Sequence, residues 1–351
     1  MPEFIAPGVY VEEVHGGPSS IEGVITSAAG FVAATPAGPT DRPVLVASLD
    51  ELEETFGDRC CLWHAARAFF QQGGRRLFVQ RVLDSDYEAG LRALEQVGEV
   101  GIVAAPGAQV ATALVEHAER MRYRFAVLDP PRGQTVQQMI AARNRIDSSH
   151  AALYYPWLRV GGDLVPPSGF VAGIYARNDA ERGVFRAPAT EVVAGATGLE
   201  TSMSEHDVET LCGSGINPFR VVESGPVLVW GARTLSADPE WKYVNLRRYF
   251  IYLEQSIDRG TQWTVLEPNG EELWTTLRGA ICNFLLDEFR RGGLAGETPE
   301  DAFFVRCDRS TMTQDDLDAG RLVCVVGVAP VRPAEFVEIR IGRWTADRRF
   351  R

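Results

Sequence analysis

Across residues 28–187, short continuous apolar runs alternate with stretches whose apolar positions recur at helical spacing. The runs at 28–34, 43–47, 77–82, 101–105, 124–128 and 151–155 predict strands. Helices are predicted over 62–72, around Leu91, Leu94 and Val97, and over 111–122 and 136–146. Ser48-Leu49-Asp50-Glu51 has the composition of a capping box opening a short helix, which Gly57 can stop. In the 62–72 helix, Trp63, Ala66, Phe69 and Phe70 take core spacing before Gly73-Gly74 ends it. Uninterrupted apolar strands separated by helices predict a mostly parallel sheet covered on both faces.

The pattern changes after residue 186. Pro188, Gly195, Gly198, Gly213, Gly215 and Pro218 make 186–226 read as irregular, and a domain junction is expected there. A strand at 227–230 follows, and Asp238 can cap a helix with Pro239 at its first position. Tyr243, Leu246, Phe250, Leu253 and Ile257 form an apolar stripe along that helix. A strand is predicted at 263–266, then an amphipathic helix over 271–291 with Leu273, Leu277, Ile281, Phe284 and Leu285 inward. Strands at 302–307, 322–328 and 336–341 close the pattern, ahead of a polar tail.

The first residues stand apart. Val9 and Val11 share one face of an extended ribbon and Tyr10 the other, with Glu12, Glu13 and Val14 continuing it. Pro7-Gly8 and Gly16-Gly17 bracket the ribbon, so it reads as an isolated arm that must find a sheet edge elsewhere.

Composition narrows the partners. At 351 residues, and about 150 residues per domain, two domains are expected. A net charge of −12 disfavours nucleic acid and anionic lipid as partners. Lys242 is the single lysine among 35 cationic residues, which nearly excludes lysine-dependent catalysis and leaves arginine forks for protein contacts. No apolar run reaches the ~20 residues that span a bilayer, and the start lacks signal-peptide composition, so synthesis in the cytoplasm without membrane insertion is expected. The six cysteines include no Cys-x-x-Cys pair and are expected to be structural thiols in a reducing setting.

Catalytic motifs fail one by one. A phosphate loop needs Gly-Lys-Ser/Thr, and the lysine lies in Trp241-Lys242-Tyr243. Gly213-Ser214-Gly215 lacks the third glycine of a dinucleotide fingerprint and reads as a turn. The histidines at 15, 64, 117, 150 and 206 offer no metal spacing, and His206 reads as part of a solvated helix start. The acidic run Asp315-Asp316-Leu317-Asp318 reads as a solvated helix start too. No catalytic residue, metal site or cofactor is assigned.

Two segments carry a resemblance. One is the start, Pro7-Gly8-Val9-Tyr10-Val11-Glu12-Glu13 with Ile21-Glu22-Gly23-Val24; the other is the C-terminal half, in 236–248, from Phe250 to Asn269 and from Gly320 to Phe336. Together they resemble the contractile tail sheath family of phages, R-type bacteriocins and extracellular injection particles. Tyr154-Tyr155-Pro156-Trp157 and 165–169 resemble the short sheath proteins of injection particles in particular.

The resemblance implies an α/β chain with an inner α+β domain built from residues 1–25 plus 225–351. A mostly parallel α/β outer domain, 26–224, is inserted between those segments. It also implies arms that exchange strands between neighbouring copies, with Val9–Val14 at one end and Val337, Ile339 and Ile341 at the other. By the same analogy Arg278, Asp287, Arg290 and Arg291 lie on the helix facing an inner tube. The implied partners are further copies in a helical sheath of stacked rings, an inner tube protein, and baseplate and cap proteins. The implied place is a phage tail or an extracellular injection particle, and contraction would need no nucleotide. A doubly wound α/β enzyme using the strand end at 103–107 is the alternative from another class. A tail terminator or baseplate protein with similar arms is a third.

Overall fold

The computed structural model describes residues 20–58, 60–222 and 225–333. The first half of the order is β1 (Ala29–Ala34), β2 (Val44–Val46), α1 (Leu49–Phe56), α2 (Cys61–Gln71), β3 (Leu77–Val82), α3 (Tyr87–Leu94), β4 (Ile102–Ala104), α4 (Ala111–Met121) and β5 (Phe125–Leu128). Next come α5 (Val136–Arg143), β6 (Ala151–Tyr155), β7 (Leu158–Val160), β8 (Asp163–Val165), α6 (Pro167–Arg182), β9 (Gly198–Leu199), α7 (Glu205–Gly213), β10 (Asn217–Val221) and β11 (Val227–Val229). The last part holds α8 (Val244–Gly260), α9 (Glu271–Arg290), α10 (Pro299–Ala302), β12 (Phe303–Arg306), α11 (Gln314–Asp318) and β13 (Val325–Val328).

Eight strands form one sheet in the order β11-β10-β6-β5-β4-β1-β3-β2. The six inner strands are parallel, and β2 and β11 run antiparallel at the two edges. Alternation along each strand feeds two cores. Phe31, Leu77, Val79, Phe125, Val127 and Tyr154 face α1, α2 and α6. Val32, Phe78, Ala126, Leu128, Leu153 and Tyr155 face α3, α4, α5 and α7. The mixed α/β architecture with a parallel-rich sheet is therefore as the sequence predicts.

Helix α6 was not foreseen. Its residues are buried on nearly every side, from Pro167 to Ala176 without a break, so no polar face betrays a helical period. Gly169 and Gly173 let it lie directly on α2, because a Cβ at either position would collide with the backbone at Ala65 or Phe69.

Three further expectations change. The irregular stretch 186–226 contains α7 and β10, and β10 continues the sheet beside β6. Its glycine at 215, with φ +76°, does mark a turn, but one inside the domain. Strand β11, predicted at 227–230, pairs with β10 at the edge of the same sheet. Residues 262–264 form a 3₁₀ turn in place of a strand. Pro239 likewise opens a separate 3₁₀ turn, Pro239–Trp241, capped by Asp238, and α8 starts afresh at Val244.

A third core joins α8 and α9 to the β12–β13 pair and to Ile21 near the start of the described chain. The buried residues of α8 include Tyr249, Ile251 and Tyr252 as well as Leu246 and Leu253, while Phe250 of the predicted stripe is only half-buried.

Candidate functional site

The β12–β13 pair is the least finished part of the fold. Phe303 pairs with Val328 and Arg306 with Val325 in an antiparallel ladder, and among the described residues these two strands make a sheet of their own. Their inward positions, Phe303, Val305, Val326 and Val328, pack into the third core. Their outward positions include Phe304 at 47% and Val325 at 42% exposure. Two strands expose an unpaired backbone row on each outer edge, which is a template for further strands. An isolated hairpin is marginal in water and needs more strands or a helix; here α9 supplies one covered face.

Helix α9 is held by a residue that the sequence reading passed over. Glu288 is 2% exposed and accepts hydrogen bonds from Tyr249 Oη (3.1 Å), Tyr252 Oη (3.0 Å) and Arg291 Nη1 (3.1 Å). Burial first, then the Glu288 charge, pushes both tyrosine hydroxyls well above their ordinary value. They therefore stay protonated and donate, which is what a buried carboxylate requires. The signal was available: Glu288 falls four and seven residues after Phe284 and Ile281, on the apolar side of the helix.

The four residues expected on the tube-facing side do not share one surface. Asp287 and Arg290 are exposed and pair at 3.2 Å. Arg291 is tied to Glu288. Arg278 instead lies by Cys282, Cys307, Cys324 and Asp308, where its positive charge favours the ionised form of each. From Arg278 to Asp287 is nine residues, or about half a turn out of phase at 3.6 residues per turn. Arg278 and Asp287 therefore lie on opposite sides of α9. The arms at Val9, Tyr10, Val11, Glu12, Glu13 and Val14, and at Val337, Ile339 and Ile341, lie outside the described residues.

The sheet and the third core meet at a buried ion pair. Arg248 of α8 donates to both oxygens of Asp179 on α6, at 2.9 and 2.7 Å, with side chains 5% and 3% exposed. Thr26 Oγ1 donates to Asp179 Oδ2 at 2.6 Å, and Arg248 Nη2 reaches Thr26 O at 3.3 Å. The guanidinium also lies 4.6 Å from the centroid of the Tyr175 ring. One bidentate cluster therefore fastens the segment before β1 to two helices.

The carboxyl ends of β4 and β5, where a doubly wound sheet takes ligands, are filled by the chain itself. Asp129 accepts from Gly107 N at 2.9 Å and from Ser168 N and Oγ at 2.7 Å each. Burial raises its carboxyl to about 6, against those hydrogen bonds. Trp157 Nε1 donates to Pro130 O at 2.8 Å beside it, and the Cys61 sulfur occupies the space where a Cβ on Gly107 would go. Every Asp129 oxygen is committed, so the residue braces α6 against the sheet.

Comparison with known proteins decides what the open hairpin belongs to. Residues 81–235 match the model of the phage tail sheath protein central domain, and residues 236–342 that of the phage tail sheath C-terminal domain. The chain belongs to the contractile tail sheath family. It is 25% identical over 280 residues to a putative prophage major tail sheath protein of Pseudomonas aeruginosa (strain UCBPP-PA14), covering 76% of this chain and 69% of that protein. Among solved structures, it is similar to the PVC sheath complex of an extracellular contractile injection system in the contracted state. That likeness has a TM-score of 0.83 and 30% identity, over 99% of this chain and 100% of the other. The helical sheath of the anti-feeding prophage, also contracted, gives 0.83 and 30% over 97% and 99%. In this sheath protein the boundary between the two family models falls after β11 and before α8, where the large sheet ends. No helix among the described residues is long and apolar enough to cross a membrane.

Proposed function

We propose that this sheath protein polymerises helically around an inner tube and shortens to drive that tube through a target envelope. The observation that carries the reading is the β12–β13 hairpin, a two-stranded sheet with both outer edges open among the described residues. Extended ribbons from neighbouring copies would complete it, Val9–Val14 from one and Val337–Ile341 from another. Strand addition binds through main-chain hydrogen bonds and tolerates swinging flanks, so such links survive a large rearrangement. Heterologous contacts repeated without closure give a helical polymer.

In this reading the inner, tube-facing domain comprises residues 1–25 and the C-terminal segment, and the sheet is the inserted outer domain. The packing of Ile21 and Val24 against the α8–α9 core supports joining the two ends. The large sheet ends at Val229, so the C-terminal segment begins after that residue. Asp287 and Arg290, exposed at the end of α9, are the charges best placed to meet a tube. The sheath would stack in rings from a baseplate to a cap, in a phage tail or an extracellular particle, without nucleic acid as partner. The energy of contraction is stored at assembly as a metastable packing, and exposed arginine–carboxylate pairs re-form in the shortened lattice. No nucleotide takes part.

Negative-stain microscopy of the purified protein, with and without its tube partner, tests this. Long hollow striated cylinders are expected, and contraction proceeds without ATP. A small discrete oligomer under both conditions, or contraction that begins only on adding ATP, overturns it.

A further inference from the structure

The face of the hairpin that covers α9 carries a pair of thiols in register. Along β12 the inward positions are Phe303 and Val305, and along β13 they are Val326 and Val328. The ladder's last pair is Arg306 with Val325. One step further, Cys307 stands opposite Cys324, both on the inward side, and the two thiols are close enough to act on each other's ionisation. Directly opposed residues of an antiparallel pair have Cα atoms about 4.5 or 5.5 Å apart. Both values fall inside the roughly 4.4–6.8 Å window of disulfides. Cys282 of α9 stands near enough to act on Cys324, and the Arg278 guanidinium lies by all three sulfurs.

We propose that Cys307 and Cys324 are a disulfide-forming site, closed by a small-molecule disulfide such as oxidised glutathione. The Cys324 thiolate, on the more accessible residue, attacks one sulfur of the oxidant. A mixed disulfide forms and one glutathione thiolate leaves. Cys307 then loses its proton and attacks Cys324 Sγ, releasing the second glutathione. Two protein thiols are oxidised and one glutathione disulfide is reduced to two thiols. Burial raises both thiols, Cys324 to about 12, so exchange is slow at neutral pH and accelerates as pH rises.

The bond closes the loop that holds α11 and pins the two strands at the end where that loop begins. Resting on the sheath reading, this hairpin is the one that receives neighbouring ribbons. Oxidation after release from a reducing cytosol would then staple the acceptor in place.

The test uses the folded full chain, so its result does not depend on whether the protein polymerises. The protein is incubated with oxidised glutathione at pH 8.5 and at pH 7, kept folded as judged by circular dichroism, and mapped by non-reducing peptide mass spectrometry. The expected result is a Cys307–Cys324 linked peptide, with free thiols falling from six to four. Closure at least several-fold faster at the higher pH is expected too. In Cys324→Ser no intramolecular link forms. Six free thiols after prolonged incubation, or a link from Cys282 to either cysteine in the native chain, overturns the assignment.

Discussion

The eight-stranded sheet and the β12–β13 hairpin handle their edges in opposite ways. At one end of the sheet, β11 is covered by the passing segment 190–193, which donates Val193 N to Val227 O and accepts from Val229 N at Glu191 O. At the other end, β2 is a three-residue antiparallel strand that leads straight into α1. Short or covered edges resist pairing with other chains. The hairpin strands are short as well, but no further strand pairs with them among the described residues, and they show Phe304 and Val325 outward. One region completes itself, and the other is left for something else to complete. The contrast is what the proposed copy-to-copy binding at the C-terminal part rests on.

The largest effect should come from removing the ribbon proposed to complete the hairpin. Deleting residues 1–14 should abolish polymerisation while leaving the sheet's circular dichroism intact. Cylinders of normal length from that truncated protein would break the comparison. Next is the joint between the two regions. Asp179→Ala strips the partner from buried Arg248, and removing one member of a buried pair typically costs about 3–5 kcal/mol. Urea unfolding should register that loss, and a change below 1 kcal/mol would mean the pair does not hold the regions together.

Acid should act on the sheet region through groups that oppose one another. Burial, then the charge of Arg124, lowers His117 from 6.5 to about 4, and neutral Nε2 accepts from Arg124 Nη1 at 2.7 Å. The unfolded chain binds that proton first, so stability is full above pH 6.5 and falls as pH drops to 4. His150, lowered to about 4 by burial and then by Arg247, acts in the same direction. Asp129 acts the other way. Raised from 3.8 to about 6, it favours the folded state below 3.8, an effect lost as pH rises through 6. Unfolding free energy should therefore fall on acidification, with up to roughly 3 kcal/mol from His117. Asp129→Asn should steepen the fall, and an unchanged slope would count against the assigned shift.

The smallest effect on the fold separates structure from assembly at the end of α9. Arg290→Glu loses only an exposed pair with Asp287, worth about 0–1 kcal/mol, yet should weaken tube-templated assembly. Arg291 is unsuited to this test because it also braces buried Glu288. Normal particle yield from Arg290→Glu would remove that end of α9 from the tube contact.

Local signals were legible where neighbours in sequence create them. Ser48 caps α1, accepting from Glu51 N at 3.2 Å, although the Glu51 carboxylate takes Ala47 N at 2.8 Å in place of Ser48 N. The strand–helix alternation up to β6 follows the apolar pattern closely. Helix α6 was illegible because a helix buried all round has no polar stripe to count. Strand β10 was hidden by Gly213, Gly215 and Pro218, of which only Gly215 turns the chain; Gly213 ends α7 and Pro218 sits in the strand beside Tyr155. At the candidate site, the hairpin strands were legible as short apolar runs, while the helical phase that separates Arg278 from Asp287 on α9 had not been counted.

Taken alone, the amino-acid order determined which stretches become strands and helices, where they stop, and that no phosphate loop or metal spacing exists. Periodicity and capping depend on residues a few positions apart, so they survive without coordinates. Only the tertiary structure decided that Asp179 waits for Arg248, that Glu288 waits for two tyrosines, and that Cys307 faces Cys324. A buried charge or a cross-strand pair is defined by groups brought together through folding, and the spacing of residues along the chain carries no record of that meeting.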